Sequence, residues 1–337
     1  MNYKSILNLL GILLVIFSFA FIPPLVVTFI YRETLSEIFL SSFLFLISLG
    51  GLMWFISRQK GLPLNISDGF IITTMFWVVL AFAGSIPFYF FGLSINDAIF
   101  ESVSGITTTG ATLIVGLDDL PKSLLLYRQL LQWIGGMGLI ILAVAVMPAL
   151  GIGGSQLYKM ELPGSHGNQK LTPKITDSAK ALWKIYFGLT LACALLYILS
   201  GMDLFDAIAH SLSTVAGGGF STHDKSIGFF NSSLIEAVCI IFMLLSAASF
   251  AVHYAAIFGG KPLRYFYDSE FRFFLSIVVS IVLVTSVFHT VSNSYTDILL
   301  TLRTSIFHTV SIVTTSGFTT ENFSLWPSFL PYLLLVG

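Results

Sequence analysis

Charged side chains are scarce in this sequence. Of its 337 residues only 10% are Asp, Glu, Lys or Arg, whereas 55% are hydrophobic, and the formal net charge is −1. An ordinary soluble domain has about 25% charged residues, so this composition predicts an all-α polytopic membrane protein. Because there is no excess of positive charge, a nucleic-acid partner is not expected.

Cysteine and the signatures of enzymes are also nearly absent. The two cysteines, Cys193 and Cys239, lie inside apolar runs, where a buried thiol acts as a small hydrophobic side chain. The chain contains no HExxH, no GxSxG and no nucleotide-binding motif. The sequence therefore predicts no enzyme activity and no cofactor. An intramembrane enzyme remains an alternative whose candidate side chains would be His210, His253, His289, His308, Glu101 and Glu236.

Seven long runs contain no Asp, Glu, Lys or Arg. Each reaches or approaches the roughly 20 residues that a membrane-spanning helix needs. The first run follows Lys4 as a signal peptide would, but it is too long and no A-x-A cleavage site follows, so we expect it to stay as an anchor helix. The runs are residues 5–31, 38–57, 69–96, 129–158, 185–202, 237–260 and 273–296.

The basic residues predict the orientation of these helices. If the runs alternate in direction, most basic residues fall on one side, which is then the cytoplasmic side and holds the N-terminus and the loop 151–177. This assignment of sides requires that the regions near 97–117, 206–228 and 304–322 enter the membrane from the outer side and leave it on the same side, as re-entrant loops. The inner residues are Lys4, Arg58, Lys60, Lys159, Lys170, Lys174, Lys180, Lys184, Lys261, Arg264 and Arg272, and the outer ones are Arg32, Lys122 and Lys225.

These three regions are copies of one another. Aligned without gaps, they read DAIFESVSGITTTGAT from Asp97, DAIAHSLSTVAGGGFS from Asp206 and TSIFHTVSIVTTSGFT from Thr304. All have Ile at the third position, Ser at the eighth, Gly at the fourteenth and Thr or Ser at the sixteenth. The glycines are 109 and 98 residues apart, which leaves room for two spanning helices and a loop in each unit. The sequence thus predicts tandem, parallel repeats.

Each copy predicts a short helix followed by a loop of small residues. Apolar residues at helical spacing occupy the first ten positions, and Thr, Ser, Ala and Gly follow. Irregular backbone at membrane depth is tolerated only where it lines a polar cavity or is buried in protein. Glycine can adopt positive φ, and backbone carbonyls can replace the hydration shell of a monovalent cation. The loops are therefore candidate cation filters, with Gly110, Gly219 and Gly317 at their turns.

The loops resemble those of a known family. TTTGAT at 107–112, GGGFSTHD at 217–224, TTSGFTTENF at 314–323 and a stretch at 117–164 that contains WIGGMG are similar to the Trk/Ktr/HKT superfamily of potassium transporters, close to its TrkH and TrkG branch. The resemblance spans essentially the whole chain. It implies two leading helices in residues 1–66 and potassium-channel-like units at 67–160, 161–262 and 263–337, with filters at 107–112, 216–222 and 314–320.

The resemblance also implies which residues bind potassium. The filter residues would be Thr108, Thr109, Gly110, Gly217, Gly218, Gly219, Thr315, Ser316 and Gly317. Supporting hydroxyls would come from Thr107, Thr112, Ser221, Thr314 and Thr319. In relatives that pass sodium a serine replaces the first filter glycine, so Gly110 favours potassium. The family fold has four units around one pore, and the fourth unit, with the glycine-rich gate beneath the filter, is expected beyond Gly337.

Other polar residues allow two interpretations. Glu101, His210 and His308 share the fifth repeat position, where a shared metal site or hydrogen bonding behind the filter is conceivable, and hydrogen bonding is favoured. Arg128 could pair with Asp118 or Asp119, whereas Arg303 is expected at the membrane interface. Acids that follow the filters could attract cations to a pore mouth or be solvated loop residues, and they are Asp118, Asp119, Asp224 and Glu321.

The sequence thus predicts potassium uptake across a bacterial cytoplasmic membrane through a pore. The alternative is a secondary transporter coupled to protons or sodium, although such proteins often show inverted repeats, and these repeats are parallel. By resemblance, a cytosolic nucleotide-binding regulator of TrkA type would dock on the basic segments 159–184 and 261–272, and the protein would be a homodimer in the lipid bilayer.

Overall fold

The computed structural model describes residues 3–58, 66–150, 175–261, 263–292, 297–327 and 329–336. These residues form helices and loops, with no β-strand among them. The chain divides into two compact units, Met1–Trp183 and Lys184–Gly337. The predicted all-α fold is thus confirmed for the described part of the chain. The predicted cytoplasmic residues Lys60, Lys159, Lys170 and Lys174 lie outside it.

The described residues of the first unit form seven helices, of which the last continues into the second unit. A 3-10 turn at Phe19–Phe21 joins the first two, and another at Leu117–Asp119 precedes the sixth. The helices are α1 Tyr3–Ser18, α2 Ile22–Tyr31, α3 Ser36–Ser57, α4 Ile66–Phe91, α5 Ile95–Ile106, α6 Lys122–Leu150 and α7 Ile175–Leu199.

The second unit continues with shorter helices on either side of one long one. Two 3-10 turns, Ser226–Phe230 and Phe323–Leu325, lie in its loops. The helices are α8 Leu204–Ala216, α9 Ser233–Ala247, α10 Phe250–Ile257, α11 Arg264–Tyr267, α12 Ser269–Val291, α13 Ile298–Val313 and α14 Phe329–Val336.

Five helical segments of the described residues are long and apolar enough to cross a bilayer. Many of their large apolar side chains are exposed, as expected of surfaces that face lipid. The chain is therefore a membrane protein. The segments are Tyr3–Tyr31, Ser36–Ser57, Asp68–Phe91, Lys180–Leu199 and Ser269–Val291.

Extended backbone interrupts one of the apolar runs. The run 237–260 is divided between α9 and α10, because Ala248 and Ser249 adopt extended backbone conformations with ψ of 143° and 142°. The Leu245 carbonyl at the end of α9 accepts from Ala248 N at 3.1 Å and also from His253 Nε2 at 2.9 Å, while His253 Nδ1 accepts from the Tyr265 hydroxyl at 2.7 Å.

Close helix packing in the first unit depends on glycine. A Cβ added to Gly11 in α1 would lie 2.7 Å from the carbonyl oxygen of Gly50 in α3. Small residues at such a crossing let two helix backbones approach closely in a membrane. Beside it, Phe21, Phe39 and Phe88 pack around the ring of Tyr127, whose hydroxyl donates to the Gly84 carbonyl at 2.7 Å.

The three short helices that precede the glycine loops begin in the same way. Ser94 caps α5, Asp203 caps α8 and Asp297 caps α13, each accepting a hydrogen bond from a backbone N–H of the first turn. Such caps replace intrahelical partners that the first N–H groups lack. Both cysteines are buried and carry free thiols, in agreement with their prediction as small apolar side chains.

Candidate functional site

The helices α5, α8 and α13 end in the same hydrogen-bonded turn. At the end of α5, Thr108 N donates to Gly105 O at 3.0 Å and Thr109 N donates to Ser104 O at 2.9 Å. This pair of bonds defines a Schellman motif. The same pair occurs in the other copies. At the end of α8, Gly217 N donates to Thr214 O and Gly218 N donates to Ser213 O. At the end of α13, Thr315 N donates to Ile312 O and Ser316 N donates to Ser311 O. The serine at the eighth repeat position therefore accepts through its carbonyl in every copy.

Positive φ angles recur at two positions of each loop, two residues apart. They are 56° at Thr108 and 76° at Gly110, 68° at Gly217 and 75° at Gly219, and 59° at Thr315 and 78° at Gly317. Alternation in the sign of φ points successive N–H groups to one side of a chain and carbonyls to the other.

The backbone hydrogen bonds locate the N–H side of this alternation. The N–H groups of Ser316 and Gly317 both point to the Ser311 carbonyl, at 2.9 and 3.1 Å. Those of Thr109 and Gly110 both point to the Ser104 carbonyl, at 2.9 and 3.5 Å. In these two loops the N–H groups thus face the preceding helix, and the alternation of φ turns the carbonyls of the residues between the two left-handed positions away from it.

Two of the left-handed residues are threonines, for which this conformation is unfavourable. A β-branched residue at positive φ is a genuine outlier and costs about 1–3 kcal/mol. Thr108 and Thr315 occupy the repeat position at which the second loop has Gly217. Such strain persists only where the surrounding structure imposes it.

Hydroxyl groups predicted to support the loops make hydrogen bonds within them. Thr107 and Thr109 share one at 2.8 Å, and Thr314 and Ser316 share the equivalent bond at 3.0 Å. Thr112 and Ser221, at the sixteenth repeat position, both contact the helix behind their own loop. Thr319, the third residue of that set, bonds through its backbone to the turn that holds Ser226 and Gly228.

The residue at the fifth repeat position is the contact on that helix. Glu101 accepts from the Thr112 hydroxyl at 2.9 Å, and His210 Nε2 lies 2.9 Å from Ser221 Oγ. In the third copy, Thr320 N donates to His308 Nε2 at 3.5 Å. All three side chains are fully buried. Hydrogen bonding behind the loops, the interpretation that the sequence favours, is therefore present, and no group of three or more metal-ligating residues occurs among the described residues.

The buried charge of Glu101 is balanced by an arginine. Arg128 Nε lies 2.7 Å from Glu101 Oε1, and neither side chain is exposed to solvent. Arg128 Nη2 also donates to Thr112 Oγ1 at 3.0 Å. The sequence offered Asp118 and Asp119 as partners of Arg128 and did not identify Glu101, because the two residues are 27 positions apart on different helices.

The second and third loops are in direct contact within the second unit. A Cβ added to Gly219 would lie 1.7 Å from the carbonyl oxygen of Ser316. Further along, Gly228 N donates to Thr319 O at 3.1 Å, and Thr319 N donates to Ser226 Oγ at 3.2 Å. The segment after the second filter glycine therefore pairs with the segment after the third.

In the first unit a glycine of α6 packs against the end of the short helix. A Cβ added to Gly135 would lie 1.9 Å from the carbonyl oxygen of Ile106, the last residue of α5. Gly135 belongs to the WIGGMG stretch that carries the sequence resemblance. The absence of a side chain at this position lets α6 lie directly behind the first loop.

Arg303, which is expected at the membrane interface, is paired with an acid of a neighbouring helix. Its Nε lies 2.5 Å from Glu236 Oε2 and its Nη2 lies 2.7 Å from Glu236 Oε1, which makes a bidentate pair between α13 and α9. Glu236 is almost completely buried, whereas Arg303 is one-third exposed. A buried carboxylate needs such a partner, and sequence separation again hid the pair.

The candidate outer-mouth acids lie in two places. Asp224 and Glu321 line one cavity of about 480 Å³ in the second unit, together with Lys225 and the segment 319–323. Glu321 also accepts from Trp326 Nε1 at 2.7 Å. Asp118 and Asp119 are exposed in the 3-10 turn of the first unit.

The family of this chain follows from comparisons with known proteins. The profile of a family described as "Cation transport protein", TrkH, matches residues 35–336. The Trk system potassium uptake protein TrkH of Vibrio parahaemolyticus is 48% identical over 340 residues, which is 99% of this chain and 70% of that protein. TrkH of Escherichia coli is 44% identical over 99% of this chain and 70% of its own length, and TrkG of the same organism is 41% identical over 100% and 70%.

A solved structure shows the same fold. The crystal structure of the potassium transporter TrkH from Vibrio parahaemolyticus superposes with a TM-score of 0.88, at 46% identity, and covers 100% of this chain and 69% of that one. The matched family consists of transport proteins, which removes the enzyme alternative. The chain belongs to the TrkH family of cation transport proteins.

Proposed function

We propose that this protein takes up potassium ions through a central pore whose selectivity filter is made of backbone carbonyls from one glycine-containing loop per repeat, among them the loops of Gly110, Gly219 and Gly317. Potassium is the transported substrate, and no cofactor takes part. The relatives are named as potassium uptake proteins of the Trk system, which supports potassium as the ion. The filter residues would be Thr108, Thr109, Gly110, Gly217, Gly218, Gly219, Thr315, Ser316 and Gly317.

The observation that supports the filter most directly is the repeated alternation of φ. In three segments of different sequence, the backbone places left-handed residues at the filter glycine and two positions before it. The N–H groups of Thr109, Gly218 and Ser316, which lie between them, bond to the short helix, and the alternation would aim the neighbouring carbonyls the other way. Carbonyl oxygens at the C-terminal end of a helix also lie in its negative field, which favours a cation.

A channel is preferred to a coupled secondary transporter as the mechanism. The sequence predicts parallel repeats, and each copy ends its short helix in the same turn, whereas transporters of the other class often have inverted repeats. Uptake that depends on an imposed proton or sodium gradient, when the potassium gradient is held constant, would favour the transporter instead.

The filter assignment can be tested by rubidium uptake in a bacterial host that lacks other potassium uptake systems. Uptake would be competed by potassium and by sodium, in the wild type and in Gly110→Ser. Serine is strained at the φ of 76° of this position and would displace neighbouring carbonyls, so we expect sodium to compete much better in the variant.

Gly51→Ser is the matched control, because no heavy atom lies within 4 Å of a Cβ added to Gly51 in α3. Unchanged competition by sodium in Gly110→Ser, at normal abundance in the membrane, would refute the filter assignment.

The proposal also covers the orientation of the protein, its membrane and its partners. The N-terminus would be cytoplasmic and the protein would lie in the bacterial inner membrane as a homodimer. A cytosolic nucleotide-binding subunit of TrkA type would dock on basic cytoplasmic segments, of which Lys261 and Arg272 are exposed. The name "Trk system" of the relatives is consistent with several components. Co-purification of the regulator with wild type and its loss in Lys261→Glu with Arg272→Glu would test the docking site.

A further inference from the structure

Behind each filter loop, the same chemistry recurs with different side chains. The residue nine positions before each filter glycine is Glu101, His210 or His308, and it contacts the chain two or three positions beyond that glycine. The three contacts thus span the filter turn from its helical side to its outer side. In each copy, the other hydrogen-bond partner of this side chain determines whether the side chain donates to the loop or accepts from it.

In the first loop the acceptor is a carboxylate. The hydroxyl of Thr112 donates to Glu101 at 2.9 Å, and Leu113 N donates to Glu101 Oε2 at 3.4 Å. A carboxylate that is completely buried stays ionised only if it is paired, and Arg128 provides the charge at 2.7 Å. The pair therefore keeps Glu101 an acceptor for the chain beyond Gly110.

In the second loop the tautomer of His210 decides which of the two side chains donates in its hydrogen bond with Ser221. His210 Nδ1 lies 2.9 Å from the carbonyl oxygen of Asp206, which can only accept, so Nδ1 carries the proton. Nε2 of the neutral ring is then an acceptor, and the Ser221 hydroxyl donates to it at 2.9 Å. Ser221 Oγ in turn accepts from His223 N at 3.1 Å, which orients the hydroxyl.

The histidine behind the third loop has the same tautomer as His210. His308 Nδ1 donates to the Thr304 carbonyl at 3.1 Å, again four residues earlier on the same helix. Nε2 is left as an acceptor for Thr320 N at 3.5 Å. The Glu321 carbonyl, 3.3 Å from the same nitrogen, cannot receive a proton from it in this tautomer. In each copy the buried helix side chain accepts, and the outer part of the loop donates.

We propose that Glu101, His210 and His308 are positioning residues for ion selectivity, each holding the outer end of its filter loop as a hydrogen-bond acceptor. Arg128 has an indirect part in this, since it keeps Glu101 ionised. The inference rests on the proposed filter. The width of a carbonyl ring depends on where both ends of the loop are fixed. The Schellman turn fixes the inner end, and the acceptor fixes the outer one.

The test removes the donors, because these changes are small. Thr112→Val deletes the hydroxyl that bonds Glu101, and Ser221→Ala deletes the one that bonds His210. Ser211→Ala is the matched control, because that buried hydroxyl on α8 donates to the Ile208 carbonyl of its own turn. The readout is the ratio of potassium to sodium competition against rubidium uptake in cells, normalised to the amount of protein in the membrane.

We expect the ratio to fall about fivefold in Thr112→Val and in Ser221→Ala, the usual effect of one lost hydrogen bond, and to stay unchanged in Ser211→Ala. His210→Gln, which retains an acceptor, should lie closer to wild type than His210→Leu. A structural role alone would lower protein abundance and leave the ratio unchanged.

Wild-type ratios in both Thr112→Val and Ser221→Ala, alongside an altered ratio in Gly110→Ser, would overturn the positioning role and leave the filter in place. Wild-type ratios in all three variants would overturn the filter assignment as well. If His210→Leu does not reach the membrane, Ser221→Ala still decides the question for the second loop.

Discussion

Gly219 touches the carbonyl group of Ser316, and this contact joins the second glycine loop to the third. A Cβ at Gly219 would lie 1.7 Å from that oxygen, far inside any van der Waals contact. Two segments that are 97 residues apart in the chain are thus placed side by side by their backbones. Glycine is required here for space as well as for its φ of 75°.

Gly219→Ala and Gly317→Ala should therefore differ. Both introduce a Cβ at positive φ, but no described heavy atom lies within 4 Å of a Cβ at Gly317. We expect Gly317→Ala to cost about 1–2 kcal/mol of conformational strain and to reach the membrane, whereas Gly219→Ala should cost about 3 kcal/mol or more. Thermal unfolding in detergent, followed by size-exclusion chromatography, measures the difference. Equal stability of the two variants would show that the loops are not in contact.

Gly135→Ala should destabilise the first unit by about 1–3 kcal/mol, because its Cβ would overlap the Ile106 carbonyl at 1.9 Å. The helix α6 would have to move away from the end of α5. The same measurement of thermal unfolding applies. Gly51→Ala in α3 is the control, and it should be neutral or slightly stabilising because its Cβ meets nothing within 4 Å and alanine favours the helix. A Gly135→Ala variant as stable as wild type would contradict this packing.

Glu236 and Arg303 should be coupled in a double-mutant cycle. The bidentate geometry strengthens the pair, while the partial exposure of Arg303 lets solvent screen it, so we expect a coupling energy of about 1–2 kcal/mol. Glu236→Gln, Arg303→Gln and the double variant would be compared by thermal unfolding. Arg303→Lys should recover only part of the stability, because lysine cannot form the second hydrogen bond. Additive effects of the two single changes would mean that the pair contributes nothing.

Thr315→Gly should retain the fold and relieve strain. The residue has φ of 59°, where a β-branched side chain is unfavourable and glycine is not, so we expect stability to stay equal or to rise by about 1 kcal/mol. The reverse test is Gly217→Ala at the equivalent position. The added Cβ would have no heavy-atom neighbour closer than 3.9 Å, so we expect the variant to lose about 1 kcal/mol of stability through its positive φ alone. A large loss of stability in Thr315→Gly would show that its side chain makes a contact that offsets the strain.

Much of this protein can be predicted from composition and pattern. The shortage of charge indicates a membrane protein, and the repeated Ile, Ser, Gly and Thr or Ser positions locate three short helices and the loops that follow them. Periodicity did not predict the break at Ala248 and Ser249, because an uninterrupted apolar run looks the same whether or not its helix is continuous. His253 bridges the break by bonding to the Leu245 carbonyl of the preceding helix, a contact that the apolar pattern does not show.

For the ion pairs, the sequence shows the charges and the tertiary structure shows which of them are partners. Glu101, Arg128, Glu236 and Arg303 are visible in the sequence as charges near apolar segments, and the need for partners follows from the cost of burying charge. Which acid meets which base depends on how the helices are rotated and packed, and that is decided by contacts between residues distant in the chain.

The sequence by itself determined the class of the protein, its three repeated segments and the glycines at their turns, because hydrophobicity, period and backbone freedom are local properties. The tertiary structure alone decided that Gly219 lies against Ser316, that Gly135 lies against Ile106 and that one buried acceptor stands behind each loop. These relationships arise from side-chain volume and hydrogen-bond direction between separate helices, which no local pattern encodes.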